Sequence, residues 1–288
     1  MKMKNMKTTL TKCGLIVGVF ATAFSTFAGS ITVKGSDTLV ILAQKWAEVY
    51  MGRHPEVKIQ VTGGGSGIGF AALQNNTTDI ADASRPIKPA ERAACIKSVG
   101  KNPREYKVAL DGLSVYVNED NSLTELSVEQ LEHIFTGKVK NWKEVGGSDS
   151  PITVYSRENS SGTYEFFKEH VLKGQDFTAS AQTMPGTAAL LQAVSKDKNG
   201  IGYGGAAYGH GAKALKIKKS AESPAIEPTE ENVVSGKYPI WRYLFNYLSP
   251  DKDQGEVAAY IKWIRSAEGQ KIVKDVGYYP LPETLQEK

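Results

Sequence analysis

The stretch Ser156-Arg157-Glu158-Asn159-Ser160-Ser161-Gly162-Thr163 has the residue types and spacing best suited to chemistry in this chain. Arg157 supplies a permanent charge on a planar fork that matches the oxygens of a phosphate or carboxylate. Four residues on, Ser161 and Thr163 supply hydroxyls, and Gly162 between them lets a ligand approach the backbone. Ile152-Thr153-Val154-Tyr155 ahead of the stretch reads as an apolar strand, and Tyr164-Glu165-Phe166-Phe167 opens a helical pattern that ends near Leu172. The segment therefore predicts strand, short loop and helix start. Unbonded amides and the positive end of the helix dipole gather at such a start and suit an anion. Taken alone, the same residues also describe an ordinary Ser N-cap beside a surface arginine.

Two further junctions of this kind weigh against the plainer reading. Ile31-Thr32-Val33-Lys34 reads as a strand, Gly35-Ser36-Asp37-Thr38 as a turn with capping residues, and Leu39, Leu42, Ala43, Trp46, Val49 and Tyr50 recur at a helical period. Val57-Lys58-Ile59-Gln60-Val61 alternates like a strand and runs into Thr62-Gly63-Gly64-Gly65-Ser66-Gly67-Ile68-Gly69, with a helical Phe70-Ala71-Ala72-Leu73 beyond. Three such junctions brought together would offer roughly a dozen neutral N–H and O–H donors to one tetrahedral anion. The order of elements, strand and helix in alternation, predicts an α/β fold.

These motifs resemble those of the phosphate-binding proteins of bacterial high-affinity phosphate ABC importers. The resemblance also takes in Asp79-Ile80-Ala81-Asp82-Ala83-Ser84-Arg85, Ile134-Phe135-Thr136-Gly137 with Asn141-Trp142, Asn199-Gly200-Ile201-Gly202-Tyr203 and Tyr238-Pro239-Ile240, in the family's order. It implies a two-lobed periplasmic binding protein fold of type II, with two strand crossings between lobes. The crossings fall in the apolar runs Val108 to Asn118 and Tyr238 to Tyr247, giving lobe one at 30–112 plus 239–288 and lobe two at 113–238. It further implies no catalytic activity, no cofactor, inorganic phosphate as ligand, a membrane permease as partner, and a monomer that closes around its anion. The implied ligand set is Ser36, Thr38 and the Leu39 amide in the first turn, Ser66 in the glycine loop, Ser84 with Arg85, and Arg157, Ser161, Gly162 and Thr163. The chain departs from the family at one place. Many members carry Ser-Asp after the third strand, and that Asp accepts the proton of hydrogen phosphate, whereas here the pair is Ser84-Arg85. Arg85 is expected to face the cleft, touching the anion or holding Asp82. Asp82, two residues before Ser84 and so on the same side of a strand, is the candidate proton acceptor that would reject sulfate.

Composition fits an exported protein. Lys2, Lys4, Lys7 and Lys12 precede an apolar run from Gly14 to Ala28 that is too short for a membrane span, so residues 1–28 read as a signal peptide and the location as periplasmic. Cys13 precedes that run rather than following it, the wrong order for lipid attachment. Without the four lysines the basic and acidic side chains balance at 31 each, so the net charge of +4 belongs to the leader and gives no reason to expect nucleic acid. Cys95 is then the only cysteine, which rules out an internal disulfide, and it sits in a helical run as a small buried apolar residue. The last helices are expected near Glu256–Arg265 and Glu268–Val276, and Lys213 to Glu231 as a solvated surface segment. His54, His133, His170 and His210 have no metal-ligand spacing, and neither a P-loop nor a Gly-x-Ser-x-Gly elbow occurs. Gly200-x-Gly202-x-x-Gly205 matches a dinucleotide fingerprint, but no helical pattern opens there. Two rival functions stay open: a phosphohydrolase acting on phosphate esters, and the same fold binding sulfate, molybdate or tungstate.

Overall fold

The computed structural model describes residues 29–209 and 211–287. The signal peptide assigned to residues 1–28, with Cys13, lies outside the described residues. The first half-sheet is built by β1 (Gly29–Gly35), α1 (Val40–Arg53), β2 (Val57–Thr62), α2 (Ser66–Gln74), β3 (Ile80–Ala83), α3 (Pro89–Val99) and β4 (Arg104–Gly112). Next come β5 (Ser114–Val117), β6 (Glu125–Ser127), α4 (Val128–Phe135), β7 (Thr153–Arg157), α5 (Gly162–His170), β8 (Gln182–Met184), α6 (Gly186–Lys196) and β9 (Gly200–Gly204). The chain continues through β10 (Lys213–Ala214), β11 (Lys216–Lys218), β12 (Ala225–Ile226) and α7 (Glu230–Val234) to β13 (Trp241–Leu248), α8 (Gly255–Arg265) and α9 (Ala267–Val276).

These strands make two five-stranded sheets, ordered β2-β1-β3-β13-β4 and β10-β5-β9-β7-β8, and a small sheet β12-β11-β6. β1 runs parallel to β2 and β3, and β7 runs parallel to β8 and β9. All residues of β3 and of β9 are buried, as central strands covered on both faces must be. β13 lies antiparallel between β3 and β4 and so closes the first sheet. The two sheets and their helices form two lobes.

The chain passes between lobes twice. The long run expected from Val108 to Asn118 divides at Leu113, which separates β4 from β5 and donates its N–H to Ile240 O at 2.9 Å. The return follows at once, since Trp241 opens β13 opposite Gly112. Each lobe has its own core. In one, Trp46 on α1 is buried and donates Nε1–H to Gly269 O at 2.8 Å, pinning α1 to α9. In the other, Phe167 of α5 stacks on Tyr203 at 4.2 Å and meets Phe135 edge-on at 4.7 Å, which fixes α5 against β9.

One feature differs from the sequence reading. Lys213 to Glu231 is not merely solvated surface: it carries β10, β11 and β12, and Leu215 and Ile217 are fully buried. The cause is the alternation Lys213-Ala214-Leu215-Lys216-Ile217-Lys218, which hides every second side chain. The glycine fingerprint serves packing instead of a nucleotide. A Cβ on Gly202 would come within 2.5 Å of Leu190 Cδ2, so glycine there lets α6 lie close on β9, and only a 3₁₀ turn, Ala206–Tyr208, follows. Cys95 is fully buried in α3, and among the described residues no helix is long and apolar enough to cross a membrane.

Candidate functional site

The strand-to-helix junctions of both lobes meet. Thr38 follows β1, Ser66 opens α2 after β2, Ser84 follows β3, and Ser161 caps α5 after β7. Ligands of open α/β sheets bind beyond the carboxyl ends of such strands. Thr38 Oγ1 lies 2.7 Å from Thr163 Oγ1 across the lobe boundary. Ser84 Oγ lies 3.4 Å from both Thr163 Oγ1 and Ser66 Oγ, and Ser66 Oγ accepts from the Ser84 amide at 3.0 Å. Ser161 Oγ accepts from the Tyr164 amide at 3.2 Å, the N-cap bond of α5. Gly162 is where the lobes come closest. A Cβ there would overlap Ser66 Oγ and stand 2.7 Å from Ser84 Oγ, so only glycine permits this approach. The Gly67 amide completes the seam by donating to Ser160 O at 2.9 Å. All five hydroxyl-bearing side chains are at most 2% exposed. The amides of Gly162 and Thr163 precede the first intrahelical bond of α5, so donors and the positive end of the dipole face the cluster.

Arg157 ends β7 and is 2% exposed. Its Nη2 donates to Asp37 Oδ2 and to Glu158 Oε1, each at 2.8 Å, its Nε to Glu158 Oε2 at 3.1 Å, and its Nη1 to Thr187 Oγ1 at 2.8 Å. Four of its five N–H groups are thus engaged. Asp37 sits in the turn after β1, where Oδ1 accepts the Gly64 amide at 2.8 Å, so the Arg157–Asp37 pair ties one lobe to the other. Burial pushes the Glu158 carboxyl up, but the hydrogen bonds and charge of Arg157 outweigh this and hold it below the usual carboxylate range.

Sequence reasoning missed a second arginine. Arg242 of β13 is 4% exposed and donates Nη2 to Thr163 Oγ1 at 3.0 Å and Nη1 to Ser84 O at 2.9 Å. Its counter-charge is the fully buried Asp111 of β4, Nη2 to Oδ2 at 2.8 Å. A signal was present: each is a lone charge inside an apolar crossing run, and buried charges need partners. Asp37 was missed as well, although it stands in the same turn as Thr38.

Two expectations are corrected, those for Arg85 and Asp82. Arg85 does not join the hydroxyls. Glu91 takes both of its terminal nitrogens, at 2.8 and 2.7 Å, Pro86 O accepts from Nη1 at 3.0 Å, and the guanidinium lies 5.0 Å over the Phe70 ring. Asp82 does not face the cluster either. It packs among Val33, Ala43, Trp46, Tyr260 and Ile264 and accepts a hydrogen bond from Asn246 Nδ2. Burial, only partly opposed by Asn246, pushes its carboxyl up to about 8. The alternation that placed Asp82 beside Ser84 fails because β3 ends at Ala83 and the backbone bends at Ser84. The Leu39 amide, expected on the anion, closes a turn onto Ser36 O at 3.0 Å. Ser36 is buried, with its amide on Asp82 O at 2.9 Å, and among the described residues its hydroxyl makes no hydrogen bond to the cluster.

Two α/β lobes joined by crossing strands, with polar groups of both turned into one cleft, define a two-lobed solute-binding protein. A family model described as the PBP superfamily domain matches residues 21–268. The phosphate-binding protein PstS of Pseudomonas aeruginosa is 34% identical over 277 residues, covering 91% of this chain and 86% of its own. That of Staphylococcus epidermidis is 35% identical over 264 residues, covering 88% and 80%. Among solved structures, a Clostridium perfringens protein assigned as a phosphate ABC transporter substrate-binding protein, with bound phosphate, superposes with a TM-score of 0.80 at 30% identity, over 88% of this chain and all of its own. An ABC-type phosphate transport receptor of Vibrio cholerae gives 0.70 at 28% identity over the same shares. The chain belongs to the PstS family of phosphate-binding proteins, within the PBP superfamily.

Proposed function

We propose that this protein captures inorganic phosphate between its lobes, outside the cytoplasmic membrane, and delivers it to the permease of an ABC importer. The observation that carries the reading is the meeting of Thr38, Ser66 and Ser84 from one lobe with Ser161, Gly162 and Thr163 from the other, beside Arg157. Hydroxyls that now bond one another exchange neutral bonds for stronger charge-assisted ones when an oxyanion enters. Neither half holds the anion alone, so the ligand favours the closed state, which the permease then meets. Lobe one is taken as residues 30–112 with 239–288, lobe two as 113–238, and a monomer suffices because both halves of the site lie on one chain.

The reading is of binding and not of hydrolysis. The partners of Ser66, Ser84, Ser161 and Thr163 are amides, other hydroxyls and Arg242, none of which can act as a general base. With Asp82 removed from the site, the carboxylates beside Arg157 are Asp37 and Glu158. Hydrogen phosphate brings a proton to share with a carboxylate, whereas fully ionised sulfate meets only repulsion. Calorimetric titration with phosphate, arsenate, sulfate and molybdate tests this. Phosphate is expected to bind, arsenate to follow it and sulfate to fail; no heat with phosphate, or tighter sulfate, refutes it. Turnover of a chromogenic phosphate ester that disappears in Ser161→Ala would establish the hydrolase instead.

A further inference from the structure

A hydroxyl that must accept from a fixed donor is forced to turn its own hydrogen elsewhere. Ser66 and Ser161 are placed so by the backbone amides of Ser84 and Tyr164. Thr163 is placed so by a side chain: Arg242 Nη2 donates to it at 3.0 Å, and a guanidinium has no acceptor with which to reverse the bond. The Thr163 hydrogen is left for Thr38 Oγ1 at 2.7 Å, Ser84 Oγ at 3.4 Å, or an anion between them.

The placement of Arg242 is itself over-determined. Asp111 is its register partner across β4 and β13 and receives Nε at 3.0 Å and Nη2 at 2.8 Å on one oxygen. The other Asp111 oxygen accepts the Ala206 amide at 3.0 Å, beyond β9 in the second lobe. Arg242 Nη1 reaches Ser84 O at 2.9 Å in the first lobe, and its guanidinium lies 5.2 Å over the Phe166 ring of α5 in the second. The pair thus stands where both strands cross and touches both lobes.

We propose that Arg242, held by Asp111, is a positioning residue for anion capture: it fixes Thr163 as a donor toward the ligand and ties that direction to lobe closure. This rests on the phosphate reading. Loss of a merely structural buried ion pair would lower stability without acting through Thr163.

A double-mutant cycle separates the two. Phosphate binding is titrated calorimetrically in wild type, Arg242→Lys, Thr163→Val and the double variant, with thermal melting of each. Lysine keeps the charge opposite Asp111 but loses the fork. Each single change is expected to weaken phosphate about tenfold or more, and the double to fall within roughly threefold of the weaker single. Losses that multiply in the double, or either single within about threefold of wild type, overturn the inference. Should Arg242→Lys fail to fold, Asp111→Asn replaces it in the cycle with the same expected outcomes. A wild type that takes no phosphate refutes the functional reading and this inference with it. A multiplicative cycle on a wild type that does bind refutes only the role of Arg242.

Discussion

Replacing Arg157 by alanine should cost phosphate affinity more than the loss of any one hydroxyl. The change removes a charge-assisted bond to the anion, worth about 1.5–3 kcal/mol. It also leaves Asp37 and Glu158, both bonded to this guanidinium at 2.8 Å, without their cation beside an incoming anion. A like-charge pair a few ångströms apart near a protein surface costs about 4 kcal/mol before solvent screening. The carboxylates keep 19% and 27% of their exposure, so water takes back much of that term. A net loss of about 3 kcal/mol or more follows, at least roughly a hundredfold in Kd. Arg157→Lys should fall between, since the charge stays and the fork goes. The assay is calorimetric titration with phosphate at fixed ionic strength, with melting curves to show that each variant folds. Arg157→Ala binding within about threefold of wild type would refute the site. Asp37→Ala supplies the control. If it loses as much as Arg157→Ala, the arginine acts as a latch between lobes and not on the anion.

Asp82→Asn should leave phosphate affinity unchanged and raise the melting temperature more at pH 8 than at pH 5. The carboxyl is pushed up to about 8 in the folded protein, so the unfolded chain gives up that proton first and stability falls as pH rises between about 4 and 8; the amide removes this dependence. Gly162→Ala should hold the lobes apart, because its Cβ would overlap Ser66 Oγ. Phosphate binding should weaken by about a hundredfold or more, and small-angle scattering should show no compaction on adding phosphate. Arg85→Ala should lower stability by roughly 2 kcal/mol in denaturant titrations, through loss of the paired bonds to Glu91, while affinity stays within threefold of wild type. A lost affinity there would return Arg85 to the cleft.

The junctions were legible because their physics is local. Strand alternation, a run of small residues and a Ser or Thr before a helical period mark a helix start wherever they occur; β1 and β2 end within one residue of the reading, and β7 runs two residues past it, to Arg157. What each charged side chain does was not legible, because that depends on which partner the fold brings nearest. Arg85 shows the difference. Its competitor could have been read, since Pro89 and Glu91 stand at the first and third positions of α3 and the Glu91 carboxylate already accepts the Lys88 amide at 2.8 Å. A carboxylate so fixed, six residues from an arginine, captures it before a cleft can. Asp82 went astray through a rule applied one residue too far, where β3 had ended. Arg242 and Asp111 needed the two crossing runs to be set side by side, a pairing between positions 131 residues apart that no local pattern contains.

The corrected charges change the character of the site. Both arginines at the cleft are matched by carboxylates, Arg157 by Asp37 and Glu158, and Arg242 by Asp111. Surplus positive charge is therefore not what the cleft offers an anion. It offers amides, helix ends and buried hydroxyls whose direction is set by donors behind them. On the phosphate reading, such a site would recognise where the ligand accepts and where it donates more than how much charge it carries, the distinction between hydrogen phosphate and sulfate that titration with both anions tests.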